Sequence, residues 1–490
     1  MASARPTGPG CCSVSGPDPD LSRRVSDSRP REGPALRRLP ALSACLIVKN
    51  EEKFLDRCLG SLGGLVDEIV VVDTGSTDRT REIAAAHRAR LDEFPWRDDF
   101  AAARNRALGL AHGEWILYID ADEHVRPTSP DRLRSQLSEP GYVGHHVLLH
   151  PRPGFTPYWE MRLFRNDPLI RFRGIIHENI WPGIQAYRAR HGGKLGRSDL
   201  VLDHDGYERD QDVKHRRNLP LLRKSLRRDP SKVFSWCHLA GIYTALGKPR
   251  LAEQAWKSGL AASRKRPRSG IGEDSLPYIG LIRSRLGTWR RVERLLAEAL
   301  ERFPQNHELQ WLQGLTHMKA RRHEQAIPWF GRLITAGRTG EIDRSMAYDV
   351  RLFDVLAAEG LATCHFKLGR YAESRRYFDL ASKHDPDKLE YRVKQALCAR
   401  LERASSNPRA RVRSQADRRS LEPAHAGRSG ARRPSELHAG SPGSGRASSR
   451  PVQAALRRRA SAPSASLAAR SRRQRRAGPG SRGPAARRRR

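Results

Sequence analysis

The chain has 490 residues, with 91 Lys and Arg against 54 Asp and Glu and a formal net charge of +37. That is length for roughly two to four domains and at least one large core. Residues 401–490 hold 24 Arg, no Lys and 4 acidic residues, so this segment alone supplies 24 − 4 = +20 of the charge. With almost no aromatic residues and no sustained apolar period, it has no core to offset the entropy of ordering and is expected to be a disordered Arg-rich tail. Clustered arginine can bind a phosphate backbone by releasing counterions. This tail lacks an aromatic platform or a basic motif of known geometry, so no specific nucleic-acid recognition is expected. Residues 1–40, rich in Pro, Gly, Ser and Arg, are expected to be disordered too, without the apolar stretch of a signal peptide. No run approaches eighteen apolar residues, so no transmembrane segment is expected. Seven scattered cysteines, at 11, 12, 45, 58, 237, 364 and 398, form neither a disulfide framework nor a zinc spacing and suggest a reducing, cytoplasmic setting.

From residue 41 to about 210, short apolar strands alternate with helical segments. Ala44-Cys-Leu-Ile-Val48 reads as a strand running into Lys49-Asn-Glu-Glu52, and the helix after it carries Phe54, Leu55, Cys58, Leu59 and Leu62 at three- and four-residue steps. Glu68-Ile-Val-Val-Val-Asp73 is the next strand. Thr74-Gly-Ser-Thr-Asp78 suits a turn and a helix start, with Asp78 as cap, and Arg79 to Ala86 continue as helix. A third helix, Ala101 to Ala111, leads to the strand Glu114-Trp-Ile-Leu-Tyr-Ile-Asp120, which ends in the carboxylates Asp120, Asp122 and Glu123. This order predicts a parallel α/β sheet, whose ligands sit outside the carboxyl ends of its strands. Asn50/Glu51, Asp73 and Asp120/Asp122 all fall at such ends. Carboxylates so close together each need a cation or a hydrogen-bond donor to stay ionised in a partly desolvated cleft, and a divalent metal supplies that. Oxygen ligands in small number favour Mg²⁺ or Mn²⁺, which complete their shell with water and phosphate oxygens, so a D-x-D at a strand end suggests a metal-bridged diphosphate.

In order and spacing, CLIVKNEEKFLDRCLGSL, VDEIVVVDTGSTDRTREIA, DDFAAARNRALGLAHGEWILYIDADE and RLFRNDPLIRFRGIIHENI resemble the family 2 glycosyltransferases of GT-A fold. The likeness is greatest to the branch with C-terminal tetratricopeptide repeats, and it covers roughly residues 42–210. The resemblance implies a metal-dependent hexosyltransferase that moves a sugar, with inversion, from a nucleotide-diphosphate donor. It implies that Glu51 and Asp73 hold the nucleoside, that Asp120 and Asp122 hold the diphosphate and a Mg²⁺ or Mn²⁺ ion, and that Arg104, in the ARN segment, lies near the phosphates. An inverting transfer also needs a base for the acceptor proton. The Glu-Asp pair that many family 2 relatives place after the D-x-D strand has no clear counterpart here. Gly174-Ile-Ile-His177-Glu178-Asn179 matches the IHE segment of the repeat-bearing branch, which makes Glu178 the first candidate base and His177 the second; the two could instead close a loop by hydrogen bonding. Leu202-Asp-His-Asp-Gly206-Tyr207 resembles a late family segment, in which His204 is a candidate for an added metal ligand.

The second half reads as a repeat array. Trp236-x2-Leu239-Ala240-x2-Tyr243, with Gly247 and Ala252-x3-Trp256 after it, follows the tetratricopeptide pattern. Turn positions at 247, 287, 321 and 369 are followed by the pairs Ala252/Trp256, Val292/Leu296, Ala326/Phe330 and Ser374/Phe378. One interval has the ideal length and two hold insertions. The aromatic residues of the array are read as core, and no chemistry is assigned to residues 225–400. The expected organisation is therefore a disordered segment 1–40, a GT-A domain over 41–210, tetratricopeptide-like repeats over 211–400 and the tail 401–490. The acceptor would be a peptide, a protein or a saccharide, bound in part by the array. Two rival readings are a repeat scaffold with a non-catalytic sugar-nucleotide-like domain and a basic nucleic-acid-associated protein. Intact Glu51, Asp73, Asp120 and Asp122 argue against decay.

Overall fold

The computed structural model describes residues 41–206, 211–267, 272–285 and 292–406. Residues 1–40, the tail beyond 406, Tyr207 and the turn at Gly287 lie outside the described residues. The chain opens with β1 (Leu42–Val48), α1 (Leu55–Ser61), β2 (Glu68–Asp73), α2 (Thr80–Ala86), β3 (Arg90–Glu93), α3 (Phe100–Leu110) and β4 (Trp115–Tyr118). β1 runs parallel to both β2 and β4, and β2 to β3. The near-continuous apolar runs of β1, β2 and β4 suit strands buried on both faces. Leu46, Val71 and Leu117 pack with Leu55 and Leu59 of α1 and with Leu62 just beyond it on one side. Cys45, Val70, Val72 and Ile116 pack with Ala107 and Leu108 of α3 on the other. Each fully buried Leu or Val contributes about 1.5–3 kcal/mol.

The sheet then turns mixed. β5 (Glu123–Val125), α4 (Pro130–Ser138), β6 (Tyr142–His150), β7 (Tyr158–Arg165), α5 (Trp181–His191) and β8 (Lys194–His204) complete an order β3-β2-β1-β4-β7-β6-β8-β5. β7 lies antiparallel to β4, so the parallel half expected from the sequence is extended by hairpin strands.

Ten α-helices follow among the described residues: α6 (Gln211–Arg228), α7 (Val233–Ala245), α8 (Pro249–Lys265), α9 (Leu276–Ser284), α10 (Glu293–Arg302), α11 (His307–Lys319), α12 (His323–Thr339), α13 (Val355–Lys367), α14 (Tyr371–His384) and α15 (Leu389–Ser406). The turns between paired helices carry positive φ at Gly247 (66°), Arg321 (59°) and Gly369 (73°). Phe330 on α12 is fully buried. A Cβ on Gly314 of α11 or Gly360 of α13 would come within 2.7 Å of its ring, so glycine at both places lets the flanking helices close on it.

Two joints tie the array to the sheet domain. Ile175 and Ile176, in the loop after β7, share a core with Leu221, Leu222 and Leu226 of α6 and Leu239 and Tyr243 of α7. The second joint uses the insertion between α12 and α13. There Trp159 N donates to Arg344 O (3.0 Å), Thr156 N to Tyr348 O (2.8 Å), and Tyr348 N to Thr156 Oγ1 (2.9 Å). The inserted residues thus reach back to the β6–β7 hairpin. Cys45, Cys58, Cys237, Cys364 and Cys398 are buried free thiols. No helix among the described residues is long and apolar enough to cross a membrane.

Candidate functional site

A cleft of about 1190 Å³ opens at the carboxyl ends of β1 and β4, larger than the ~300–1,000 Å³ of ordinary small-molecule sites. Glu51, Arg104, Asp120, Asp122, His177, Glu178 and His204 all line it. Asp73 sits behind this surface at the end of β2. It is buried, and its carboxylate accepts from Ser76 N and Oγ, from Gly75 N (3.3 Å) and from Arg81 Nε (2.8 Å). Burial works to raise its pKa, but the Ser76 hydrogen bonds and Arg81 outweigh it and hold the group below the usual carboxylate range. Asn50 takes a left-handed φ of 57° at the end of β1, and its Oδ1 accepts from Thr77 N at 2.8 Å, clasping the two strand-end turns together. Asp78 is not the helix cap expected of it: Arg79 holds that position without a side-chain cap, and Asp78, one residue earlier, accepts from Thr80 N at 3.0 Å.

The three carboxylates after β4 divide into three roles. Glu123 is buried and structural: it accepts from Asp120 N (2.9 Å) and from Arg162 Nη2 (2.8 Å), and burial, opposed by Arg162, raises its pKa to about 8. Asp120 lies between two guanidiniums, with Arg104 Nη2 at 2.6 Å from Oδ1 and Arg162 Nη1 at 3.5 Å from Oδ2. Burial opposes its charge, yet Arg104 and Arg162 hold it well below the ordinary value. Asp122 has a different setting. His204 Nε2 stands 3.5 Å from its Oδ2, burial raises its pKa, and His204 only partly offsets that. The end of β8 clasps the turn through Asp205 N to Asp122 O (2.7 Å), and a Cβ at Gly206 would fall within 1.9 Å of Asp122 Oδ2, so only glycine fits there.

Arg104 connects the strand-end cluster to the loop after β7. Its Nε donates to Glu178 Oε1 at 2.5 Å while Nη2 holds Asp120. Burial disfavours the guanidinium charge, but Asp120 and Glu178 outweigh it and hold Arg104 above its ordinary value. Both Arg104 and Arg162 lie over the ring of Tyr118, at 5.0 and 4.4 Å from its centroid, so the last residue of β4 floors the pair. Reciprocal bonds of 3.0 Å between Arg173 and Asn179 close residues 174–178 into a loop. Glu178 faces Arg104 from that loop, whereas His177 turns to the array, with its Nε2 2.7 Å from His238 Nδ1 on α7.

Several lining residues escaped the reading of the sequence. Glu160 and Arg162 of β7 are two residues apart and share one face of the strand, a charged pair set among Trp159, Met161, Leu163 and Phe164 that could have flagged them. Lys214, Arg217, Lys232, Phe234 and Arg266 come from the array or the segment leading into it, so residues beyond 225 do contribute to the cleft. Nothing in the repeat pattern marks them.

A family model described as "Glycosyl transferase family 2" matches residues 43–192. A tetratricopeptide repeat-containing protein of Synechococcus elongatus is 34% identical over 286 residues, covering 56% of this chain and 70% of that protein. The SPbeta prophage-derived glycosyltransferase SunS of Bacillus subtilis is 28% identical over 201 residues, 39% of this chain and 46% of its own length, so the chain spans under half of that relative. The lipopolysaccharide core biosynthesis glycosyltransferase LpsC of Rhizobium meliloti is 35% identical over 179 residues, 33% of this chain and 65% of that protein. Among solved structures, glucosyl-3-phosphoglycerate synthase from Mycobacterium tuberculosis matches with a TM-score of 0.30 and 20% identity over 39% of this chain and 80% of that one. A tetratricopeptide repeat protein from Parabacteroides merdae matches with a TM-score of 0.31 and 17% identity over 44% and 76%. Likenesses at those scores do not bear on the role of any residue.

Proposed function

The chain belongs to the family 2 glycosyltransferases that carry C-terminal tetratricopeptide repeats, and on that premise we propose that it moves a hexose, with inversion, from a nucleotide-diphosphate donor to a hydroxyl of a peptide, protein or saccharide acceptor. The observation that carries this reading is the Arg104 bridge, which joins the D-x-D carboxylate Asp120 to Glu178 through two hydrogen bonds in one cleft. Glu51, in the cleft, and Asp73, fixed behind it, would hold the nucleoside. Arg104 and Asp120 would order the diphosphate side.

The acceptor hydroxyl would attack the anomeric carbon from the face opposite the diphosphate. The new C–O bond forms as the bond from carbon to the phosphate oxygen breaks, and the hydroxyl proton passes to a carboxylate. Glu178 is suited to take it. Arg104 holds its Oε1, and Oε2 has no hydrogen-bond partner among the described residues. A base so oriented contributes roughly 10²–10⁴-fold. His177 is the second candidate, though its Nε2 is occupied by His238.

The residues present fit a divalent ion. Asp122 is a desolvated carboxylate held next to an imidazole, His204, while Asp120 would share its oxygens with two arginines. No group of three His, Cys, Asp or Glu among the described residues could hold a metal unaided, which suits Mg²⁺ or Mn²⁺ completing its shell with water and donor oxygens. When bound, such an ion supplies charge compensation for the leaving diphosphate. Calorimetric titration with a panel of nucleotide sugars, with Mn²⁺ and in EDTA, tests the reading. One nucleotide sugar should bind in a metal-dependent way, and no binding by any member would refute it.

A further inference from the structure

His177 adopts a left-handed φ of 50°. For a residue with a Cβ this costs on the order of 1–3 kcal/mol and persists only where the surroundings over-determine it. Here the surroundings belong to the repeat array. The His177 ring meets Phe234 of α7 edge to face at 4.7 Å, and its Nε2 lies 2.7 Å from His238 Nδ1. The two preceding residues, Ile175 and Ile176, are buried against α6 and α7. The ammonium of Lys232 lies so close to Gly174 (φ 109°) that a Cβ there would come within 2.3 Å of Nζ. One residue further along the same loop is Glu178. Its carboxylate is fixed from the sheet side by Arg104, and its backbone is therefore fixed from the array side.

We propose that His238, on the first repeat, is a positioning residue for the transfer: through its hydrogen bond to His177 it locks the left-handed turn that aims Glu178 at the acceptor. The first repeat is then part of the catalytic unit, whatever the outer repeats bind. This inference rests on Glu178 acting as base.

In the pair, one ring nitrogen donates and the other accepts, which two neutral imidazoles do. Burial pushes His177 down to about 3, with His238 and Lys232 adding to it, and burial pushes His238 down to about 4. An asparagine at 238 places an amide near the site of Nδ1, able to donate or accept. Leucine fills a similar space and can do neither.

The test is steady-state hydrolysis or transfer of the nucleotide sugar selected by the binding panel, using the full chain. Wild-type turnover and its loss in Glu178→Gln are measured first, so failure of the base assignment shows before His238 is touched. His238→Leu should then lower kcat by about 10- to 100-fold with the donor KM within twofold of wild type. It should also speed amide exchange over residues 173–179. His238→Asn should return kcat to within about threefold of wild type. Wild-type kcat in the Leu variant, or equal losses in the Leu and Asn variants, would overturn the proposal, the second because packing alone would then explain the effect. Should the Leu variant not fold, His177→Gly suits the left-handed backbone and deletes the ring. The same loss of kcat is expected of it, and undiminished turnover would overturn the proposal equally.

Discussion

The two sides that meet at Glu178 use different physics. The strand-end side is a chain of charges, Glu160–Arg162–Asp120–Arg104–Glu178, floored by Tyr118 and anchored by the buried Glu123. The array side grips the same loop chiefly by packing and one hydrogen bond: residues of α6 and α7 enclose Ile175 and Ile176, Phe234 and His238 meet His177, and the Lys232 ammonium is the one charge set against it, at Gly174. Charges at the ends of parallel strands can bind and polarise a diphosphate, but a salt bridge to one oxygen fixes a side chain at a single point. Packing and a left-handed backbone fix the direction from which that side chain emerges. A repeat array, ordinarily a surface for partners, here serves as the rear support of the loop that carries the proposed base.

The largest effect should come from the strand-end side. Glu178→Gln keeps the size and the Arg104 contact but removes the base, and a fall in kcat of about 10²–10⁴-fold is expected with donor affinity retained. A variant as fast as wild type would move the base elsewhere. Next in size is Asp122→Asn, which withdraws a carboxylate from the ion and diphosphate. Donor affinity measured calorimetrically with Mn²⁺ should drop on the order of 100-fold, about 2.7 kcal/mol, and an unchanged Kd would remove Asp122 from the donor site.

A smaller effect should come from the array side and be visible against pH. His177 and His238 have folded values pushed down to about 3 and about 4 from an ordinary 6.5, amid Lys232, His215 and Arg217. Below pH ~6.5 the unfolded chain binds protons that the folded one does not, so stability falls as pH falls from ~6.5 toward ~4. Each histidine contributes up to about 1.4 kcal/mol per pH unit. Denaturant midpoints measured across that window should show a shallower slope in His238→Asn, and an identical slope would mean that these imidazoles do not titrate as a buried pair. Smallest of all should be the consequence of ending the chain at residue 406. With no apolar pattern in 407–490, the thermal midpoint and the turnover on a small acceptor should stay as they were, and a large loss of either would show that the tail contributes.

The strand-end side was largely legible from the sequence. Apolar runs ending in Glu51, Asp73 and Asp120 identify β1, β2 and β4, because a strand buried on both faces writes itself as consecutive Val, Ile and Leu. β3 did not announce itself: Arg90-Leu-Asp-Glu93 is an edge strand with three charged residues of four, whose pairing to β2 is set by tertiary structure rather than by its own period. The hairpin half was equally silent, since β6 runs parallel to β8 with shifts in register that no local pattern encodes. In the site, the ARN segment points to Arg104 as a phosphate neighbour, but its bond to Glu178, 74 residues away, is written in no motif. His238 lies inside Trp236-x2-Leu239-Ala240-x2-Tyr243, where the repeat pattern accounts for its neighbours and leaves no mark on a histidine facing a loop 61 residues earlier.

Whether the two sides act through one loop is tested most directly by a double-mutant cycle on kcat between Glu178→Gln and His238→Leu. If His238 matters only because it aims Glu178, the double variant should be no slower than Glu178→Gln alone, since a positioning residue has nothing left to position. Losses that multiply, each variant contributing its full factor independently, would contradict the joint role of sheet and array.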